Sequence, residues 1–489
     1  MVVRRIPYRP FGDGAGVENT DMFSRYVMAV AVTAGGTIGC QSYQRKPLAM
    51  ADYIHEWDAR LLDVDPVRGY AASLARNAGD ETPFNIADGL SLHEAQAIAL
   101  HFNPQLRIAR AEAHVPLTGA QEAGWRPDPR VEAEILRFLD RRKGDDFIDD
   151  PWIIEAGLSV TIPLSGRLAV EKELRWSQYN VAWRGILEAE QDLLTRLRAA
   201  WLEWSASQER LTITRDYIEK LESVADMAQT LMSAGRIKPM EARLLLIETV
   251  RRRAAVLLLE GEVEQNRLAL MALLGLSPHA PVSFQADLSI PRIDVPTDQR
   301  REVLLNRHWR IKIAEANYER AEQQLRLEIQ RQYPDLDIGP SYSLEEDFER
   351  FGLGFGLPIP LWNRNRQAVA ETSAAREAAR LKVQTTIENV TSTLTMAESR
   401  LHSAQRQRAI ILEQVAPLVE KQMEDSRTLL ELGEVDVLLI RDALTGSLET
   451  RLDLLDTTLA QAQAANEIRH MLRPQWFTPS AAEVKEEQP

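Results

Sequence analysis

Cysteine is almost missing from this sequence: Cys40 is the single one in 489 residues. That excludes a disulfide framework and any metal site built from clustered thiolates. No stretch reaches 18 consecutive apolar residues, so nothing reads as a spanning helix, and such a chain crosses a bilayer only with strands. Glycine and proline number 24 each, too few for a collagenous or low-complexity chain. Positive charge is outweighed, with 58 Lys and Arg against 72 Asp and Glu and a net charge of −14. A general role on nucleic acid is thereby disfavoured, because phosphate binding needs clustered cations. Gly-rich phosphate loops, nucleophile elbows and His-Glu-x-x-His are absent, so an enzyme reading has no residues to name. The eight histidines are scattered, and His93 and His101 miss the i, i+4 spacing that puts two ligands on one turn. No metal site and no cofactor is expected, beyond a covalent lipid.

That lipid is expected on Cys40. Arg25 is followed by a short apolar run, Tyr26 to Thr37, ending in Ile38-Gly39-Cys40. This is the layout of a secretory signal and is too short for a span. It resembles a bacterial lipobox, in which the cysteine is acylated and opens the mature chain. Asp13, Glu18 and Asp21 suit a signal poorly, so residues 1–39 are read as signal peptide with translation starting at Met22. Residues 40–89 then form a lipid-anchored lead segment. Gln41 after the cysteine points to the outer membrane by analogy with such lipoproteins.

The rest of the chain is one module written twice. Gly157-Leu-Ser-Val-Thr-Ile-Pro163-Leu-Ser-Gly-Arg167 matches Gly354-Phe-Gly-Leu-Pro-Ile-Pro360-Leu-Trp-Asn-Arg364 at an offset of 197, and Gly235 matches Gly433 at 198. Pro127-Asp128 pairs with Pro334-Asp335 at 207, so the extra residues fall in Leu139 to Asp150, read as a loop. The copies are assigned to residues 90–282 and 300–473, with a linker at 283–299 and a loose tail at 474–489.

Within each copy the hydrophobic period changes in the same order. Ile154, Ala156, Leu158, Val160 and Ile162 alternate with small or polar residues, as do Leu336, Ile338, Pro340, Tyr342 and Leu344, then Phe351, Leu353, Phe355, Leu357 and Ile359. Period two marks strands with one apolar face. The segments read as hairpins, Arg130 to Ile162 and Asp335 to Ile359, with charged tips at Asp140 to Asp146 and Glu345 to Arg350. Pro163 and Pro360 should end the last strands and turn the chain into helix.

Leu197, Trp204, Leu211, Ile218, Ala225 and Met232 recur every seven residues, with Ala200, Ser207, Thr214, Leu221 and Ala228 three places on. That period marks a coiled-coil seam. A helix from Leu168 to Met232 would be about 100 Å long at 1.5 Å per residue. Its return runs from Pro239 to Leu274. The second copy repeats this from Asn365 to Leu432, with a kink at Pro417, and from Val437 to Leu472. Ser91 to Gly124 and Glu302 to Gln332 are also helical. The expected class is mainly α with a small β part, in two tandem repeats of helix, β-hairpin and long antiparallel coiled-coil helices.

Four strands with one apolar face have two open edges, which a bilayer forbids unless the sheet closes. Four strands cannot close round a channel, so several chains must share one barrel. Hairpin, long helix, Gly turn and returning helix, written twice behind a lipobox, resemble the TolC-type outer-membrane efflux protein family. Leu90 to Arg107 is similar to its opening signature and Leu273-Leu-Gly275-Leu to its repeat-end signature. Gly354 to Arg366 looks most like the heavy-metal subgroup, CzcC-like and CusC-like. The match runs from about residue 88 to 473.

The resemblance implies a homotrimer with a 12-stranded β-barrel in the outer membrane and an α-helical barrel through the periplasm. It implies docking, through the helix-tip turns at Gly235 and Gly433, with a periplasmic adaptor and an inner-membrane, proton-driven (RND) pump. In the family, acids near these tips close the entrance. By position Glu241 and Asp442 match two of them, Leu439 stands at a third, and Glu434 and Asp436 lie close enough to substitute. An acidic ring favours cations and resists closure by like-charge repulsion. These acids read equally as a wet helical face. The chain itself would be no enzyme but a passive conduit, for heavy-metal cations foremost, or for drugs or secreted polypeptides. A cytosolic coiled-coil scaffold explains the helices but neither the hairpins nor the signal.

Overall fold

The computed structural model describes residues 43–78, 84–137, 142–143, 146–147, 152–345, 348–431 and 436–472. Cys40, Gly433, Glu434, the signal and the tail lie outside them. The chain divides into two units, Met1–Glu56 and Trp57–Pro489. The described end of the first enters α1 (Met50–Asp58), a helix with no buried residue. The second begins at Trp57, within that helix, continues through α2 (Asp65–Ala78) and contains everything below.

The first copy begins with α3 (Leu92–Phe102) and α4 (Pro104–Gln121), where the sequence reads as one helix. The break falls at Asn103, because Pro104 has no N–H to continue the ladder. The Asn103 side chain caps α4 by accepting from the Leu106 N–H at 3.0 Å, and its Nδ2 donates to the Leu273 carbonyl at 2.8 Å. The second copy breaks at the same place, into α7 (Arg300–Arg307) and α8 (Trp309–Gln330), with the His308 ring capping Arg310 N–H at 3.2 Å.

β1 (Arg130–Arg137), β2 (Trp152–Pro163), β3 (Asp335–Glu345) and β4 (Phe348–Gly356) form one antiparallel sheet in chain order. In the predicted loop after β1, Arg142–Lys143 pairs with Asp146–Phe147 as a separate two-stranded sheet. Most of the second predicted tip is strand, with Glu345 opposite Phe348. β4 stops at Gly356, short of the predicted Ile359, because Pro358 and Pro360 offer no ladder donor.

The long helix α5 (Arg167–Ser233) is continuous, and α6 (Pro239–Leu274) returns beside it. Along the predicted seam Leu197, Trp204, Leu211, Ile218 and Ala225 are buried, as are Ser207, Thr214, Leu221 and Ala228. In the second copy α9 (Arg366–Ile410) passes through a π-helical turn, Ile411–Val415, into α10 (Ala416–Glu431), and α11 (Val437–Leu472) returns. The helix carries on past Pro417 instead of ending. The wide turn, with the Ala416 N–H on the Ile411 carbonyl, absorbs the clash that the pyrrolidine ring would make with the preceding turn.

Strand and helix layers share one lateral order. α4, α5, α8 and α9 lie side by side in that sequence, and in the chain α4 leads into β1, β2 into α5, α8 into β3 and β4 into α9. Towards the other end the order is α6, α5, α11, then α9 with α10. Among the described residues no helix is long and apolar enough to cross a membrane.

Candidate functional site

The sheet carries two chemically opposite faces. Ile135, Ile154 and Leu344 form one rung, which ends on Glu349 near the hairpin tip, Ala133, Ala156, Tyr342 and Phe351 the next, and Val160, Ile338 and Phe355 another. The opposite face has Glu134, Glu155, Ser343 and Arg350 in one rung and Glu132, Gly157, Ser341 and Gly352 in the next. Glu134 and Glu155 stand directly across the ladder, an arrangement that destabilises a pair unless water screens it. This face is therefore built for water, and the apolar one for a medium without it.

β1 and β4 each have a single neighbour, so both margins of the sheet are open. At the mouth of the sheet Arg167 holds the Asp335 carboxylate at 2.7 Å, tying the start of α5 to the start of β3. Pro163 closes β2 in register with Asp335, and Pro360 lies in the turn between β4 and α9.

The far end of the helices holds the predicted acids. α5 ends in a Schellman motif: Gly235 has φ +70, Arg236 N–H bonds the Leu231 carbonyl at 2.9 Å, and Gly235 N–H bonds Met232 at 3.0 Å. Glu241, on the first turn of α6, reaches back to the Lys238 N–H at 3.4 Å. Asp436 caps α11, its Oδ1 accepting from Leu438 and Leu439 N–H at 3.0 and 3.1 Å. Asp442 accepts from Arg441 Nη2 at 2.6 Å, and this bond holds the Arg441 guanidinium above its ordinary pKa. Two of the acids thus serve helix starts, and Asp442 projects into solvent beside a cation of its own helix. Leu439 is on the same exposed side.

Near them Tyr217 of α5 joins α11 through its hydroxyl and Thr445 Oγ1 at 3.3 Å, while the Arg252 guanidinium of α6 lies 5.5 Å from the Tyr217 ring centre. Three helices are thereby pinned just above the tip.

Sequence reasoning missed the buried polar nodes, one within the first copy and one between the copies. Glu190 is fully buried and paired with Arg110 at 2.8 Å. It stands seven residues before Leu197 in the seam series, and a charge at a seam position is the signal that could have revealed it. His470 Nδ1 lies 3.3 Å from Arg198 Nη1, and its ring lies 5.0 Å from Trp309, itself stacked on His308 at 4.1 Å. Burial, helped by Arg198, pushes His470 down to about 3, and burial with Arg310 pushes His308 down to about 4. Burial likewise lowers Arg198 to about 10. Both imidazoles are neutral acceptors, used for packing. Among the described residues no three His, Cys, Asp or Glu side chains converge as a metal site would require.

Known proteins place this geometry. Residues 97–276 and 301–472 match the family model described as outer membrane efflux protein. The cobalt-zinc-cadmium resistance protein CzcC of Cupriavidus metallidurans is 21% identical over 393 residues, covering 80% of this chain and 91% of that protein. Among solved structures, CusC superposes with a TM-score of 0.67 at 18% identity, covering 78% of this chain and 91% of the other. The outer membrane protein VceC of Vibrio cholerae gives 0.66 at 16% identity, covering 78% and 95%.

Proposed function

Because this chain belongs to the outer membrane efflux protein family, we propose that it is the outer-membrane conduit of a tripartite system that exports heavy-metal cations. One observation supports the conduit above all: a four-stranded sheet, apolar on one face and acidic on the other, with both margins open and each strand joined to a helix of the same lateral order. Three copies would close a barrel of about 12 strands, within the range of such barrels, with the Glu132, Glu134 and Glu155 face towards the water-filled bore. β1 of one copy would pair with β4 of the next, and α4 with α9. Such a head-to-tail contact makes a ring when the rotation closes.

The chain performs no chemistry in this reading. A periplasmic adaptor would dock at the turns around Gly235 and Gly433, and a proton-driven inner-membrane pump would supply the energy. Acylated Cys40 would anchor the lead segment in the outer membrane. Asp442 and Glu241 would line the narrow end, where carboxylates repel one another when empty and draw together around cations. The metal cargo rests on the likeness to CzcC; drugs and secreted polypeptides are the competing cargoes.

A deletion strain tests the cargo. Sensitivity to zinc, cobalt, cadmium or copper that wild-type protein corrects supports metals; sensitivity confined to antibiotics sinks them. Radioactive palmitate, with Cys40→Ser as control and the two membranes separated, tests anchor and location together.

A further inference from the structure

The two strand-to-helix turns do the same job in different ways. In the first copy Pro163-Leu-Ser-Gly166 leads directly into α5, with Gly166 at φ +72 taking the left-handed position. Glycine adopts that conformation without steric cost. In the second copy the turn is two residues longer, Pro360-Leu-Trp-Asn-Arg-Asn365, and the left-handed positions fall on Arg364 (φ 46) and Asn365 (φ 51). Two successive non-glycine residues in this region are strained and persist only where their surroundings hold them.

The surroundings are on the page. Asn365 Nδ2 donates to the Glu328 carbonyl at 2.9 Å and to its carboxylate at 2.8 Å. The same carboxylate takes Arg331 at 2.8 Å and Gln324 at 3.1 Å. Glu328 is buried and fully occupied, so its charge is answered before it reaches the surface. Held this way, the turn walls a cleft of about 450 Å³ with Arg331, Ile359, Leu361, Trp362 and Arg364. Trp362 is 86% exposed and Ile359 70%. Arg364 gives its Nε–H to the Pro360 carbonyl at 3.2 Å and, among the described residues, meets no carboxylate.

Exposed apolar side chains mark the same level at the other junctions, Trp125 before β1, Leu164 after β2 and Tyr333 before β3. Tryptophan and tyrosine in that position are what a membrane-water boundary selects, since one side of the ring is apolar and the other wet. Among the described junctions, the β4–α9 turn adds to a cleft a guanidinium on strained backbone that meets no carboxylate. We propose that this cleft binds an anionic glycerophospholipid of the adjoining leaflet, its phosphate on Arg364 and its acyl chain against Ile359, Leu361 and Trp362. The guanidinium plane matches two phosphate oxygens at once. The inference rests on the proposed placement of the sheet in the bilayer.

The test is native mass spectrometry of the detergent-purified oligomer offered equal amounts of phosphatidylglycerol and phosphatidylcholine. Wild type should retain phosphatidylglycerol about tenfold over phosphatidylcholine. Arg364→Gln should reduce that preference to near unity, Arg364→Lys should keep part of it, Trp362→Ala should lower retention of both lipids, and Arg251→Gln, an exposed cation on α6, should leave it unchanged. The mass of the intact oligomer in the same spectrum reports folding of each variant. Equal retention of the two lipids by wild type, or a full preference in Arg364→Gln, overturns the proposal. So does removal of the preference by inorganic phosphate alone at lipid concentration. A chain that stays water-soluble without detergent and gives no pore sinks the conduit reading itself. An inserted, conducting oligomer with no lipid preference sinks only the lipid site.

Discussion

Arg110 on α4 places its Nη2 2.8 Å from the Glu190 carboxylate on α5, and that acid has no exposed surface. Arg110 also donates to the Leu100 carbonyl at 2.8 Å and lies 5.5 Å from the Tyr70 ring centre. The pair therefore joins α2, α3, α4 and α5 at the level where the copies break their helices. Arg110→Ala takes the cation away from a buried carboxylate and should destabilise the protein by about 3 to 5 kcal/mol, whereas replacing both partners by leucine should cost far less. Thermal unfolding in detergent decides: equal melting temperatures for Arg110→Ala and the double variant would contradict the pairing.

His470 and His308 make stability fall in acid. Their native pKa values, about 3 and about 4, lie below the ordinary 6.5. The unfolded chain thus takes up protons that the native one refuses, and stability rises with pH wherever that holds. The contribution is complete above about pH 6.5 and drains away as pH drops towards 4. Melting temperature measured from pH 8 to pH 4 should show this slope, and His470→Gln should flatten it. Arg198, lowered only to about 10, stays charged across this range and does not supply the slope.

Glycine in the sheet is needed for space. A Cβ on Gly339 would overlap the Leu158 carbonyl, while Gly185 in α5 has nothing within 4 Å. Gly339→Ala should sharply lower the share of the protein recovered as oligomer from detergent-solubilised membranes. Gly185→Ala should leave that share unchanged and raise stability by about 0.5 to 1 kcal/mol within the chain. Normal assembly of Gly339→Ala would show that the strands pair differently.

Asp442→Ala combined with Glu241→Ala should raise single-channel conductance in planar bilayers, by removing the carboxylates proposed to line the narrow end. Asp436→Ala tests a different property. It removes a helix cap and should lower stability by about 1 kcal/mol with a smaller effect on conductance. The reverse order would move the constriction to the start of α11.

Periodicity made most of the fold legible. Alternation in Ile154 to Ile162 and the seven-residue series from Leu197 are backbone geometry written into side chains, and α6 and α11 span the residues read from them. What escaped was local chemistry that competes with period. Asn103 and His308 break helices by capping the next one, which hydrophobic pattern does not register. Pro417 was visible, but its remedy, a wide turn five residues long, depends on backbone bonds and leaves no residue signature. The tip acids are matched to the family only by position in the chain, which says nothing of their local bonds. Their duties differ because Asp436 and Glu241 sit at N-terminal turns, whose free N–H groups claim a nearby carboxylate first.

The π turn at Ile411–Val415 has one more result. An α-helix rotates about 100° with every residue, so a single extra residue would swing everything downstream by more than a quarter of a circle unless a wider turn took it up. The first copy, unbroken from Arg167 to Ser233, has no such turn. The surplus is thus swallowed where it arises, and losing one residue near Glu413 would restore plain α-helix there, with α10 still on its bearing and the sheet end of the molecule untouched.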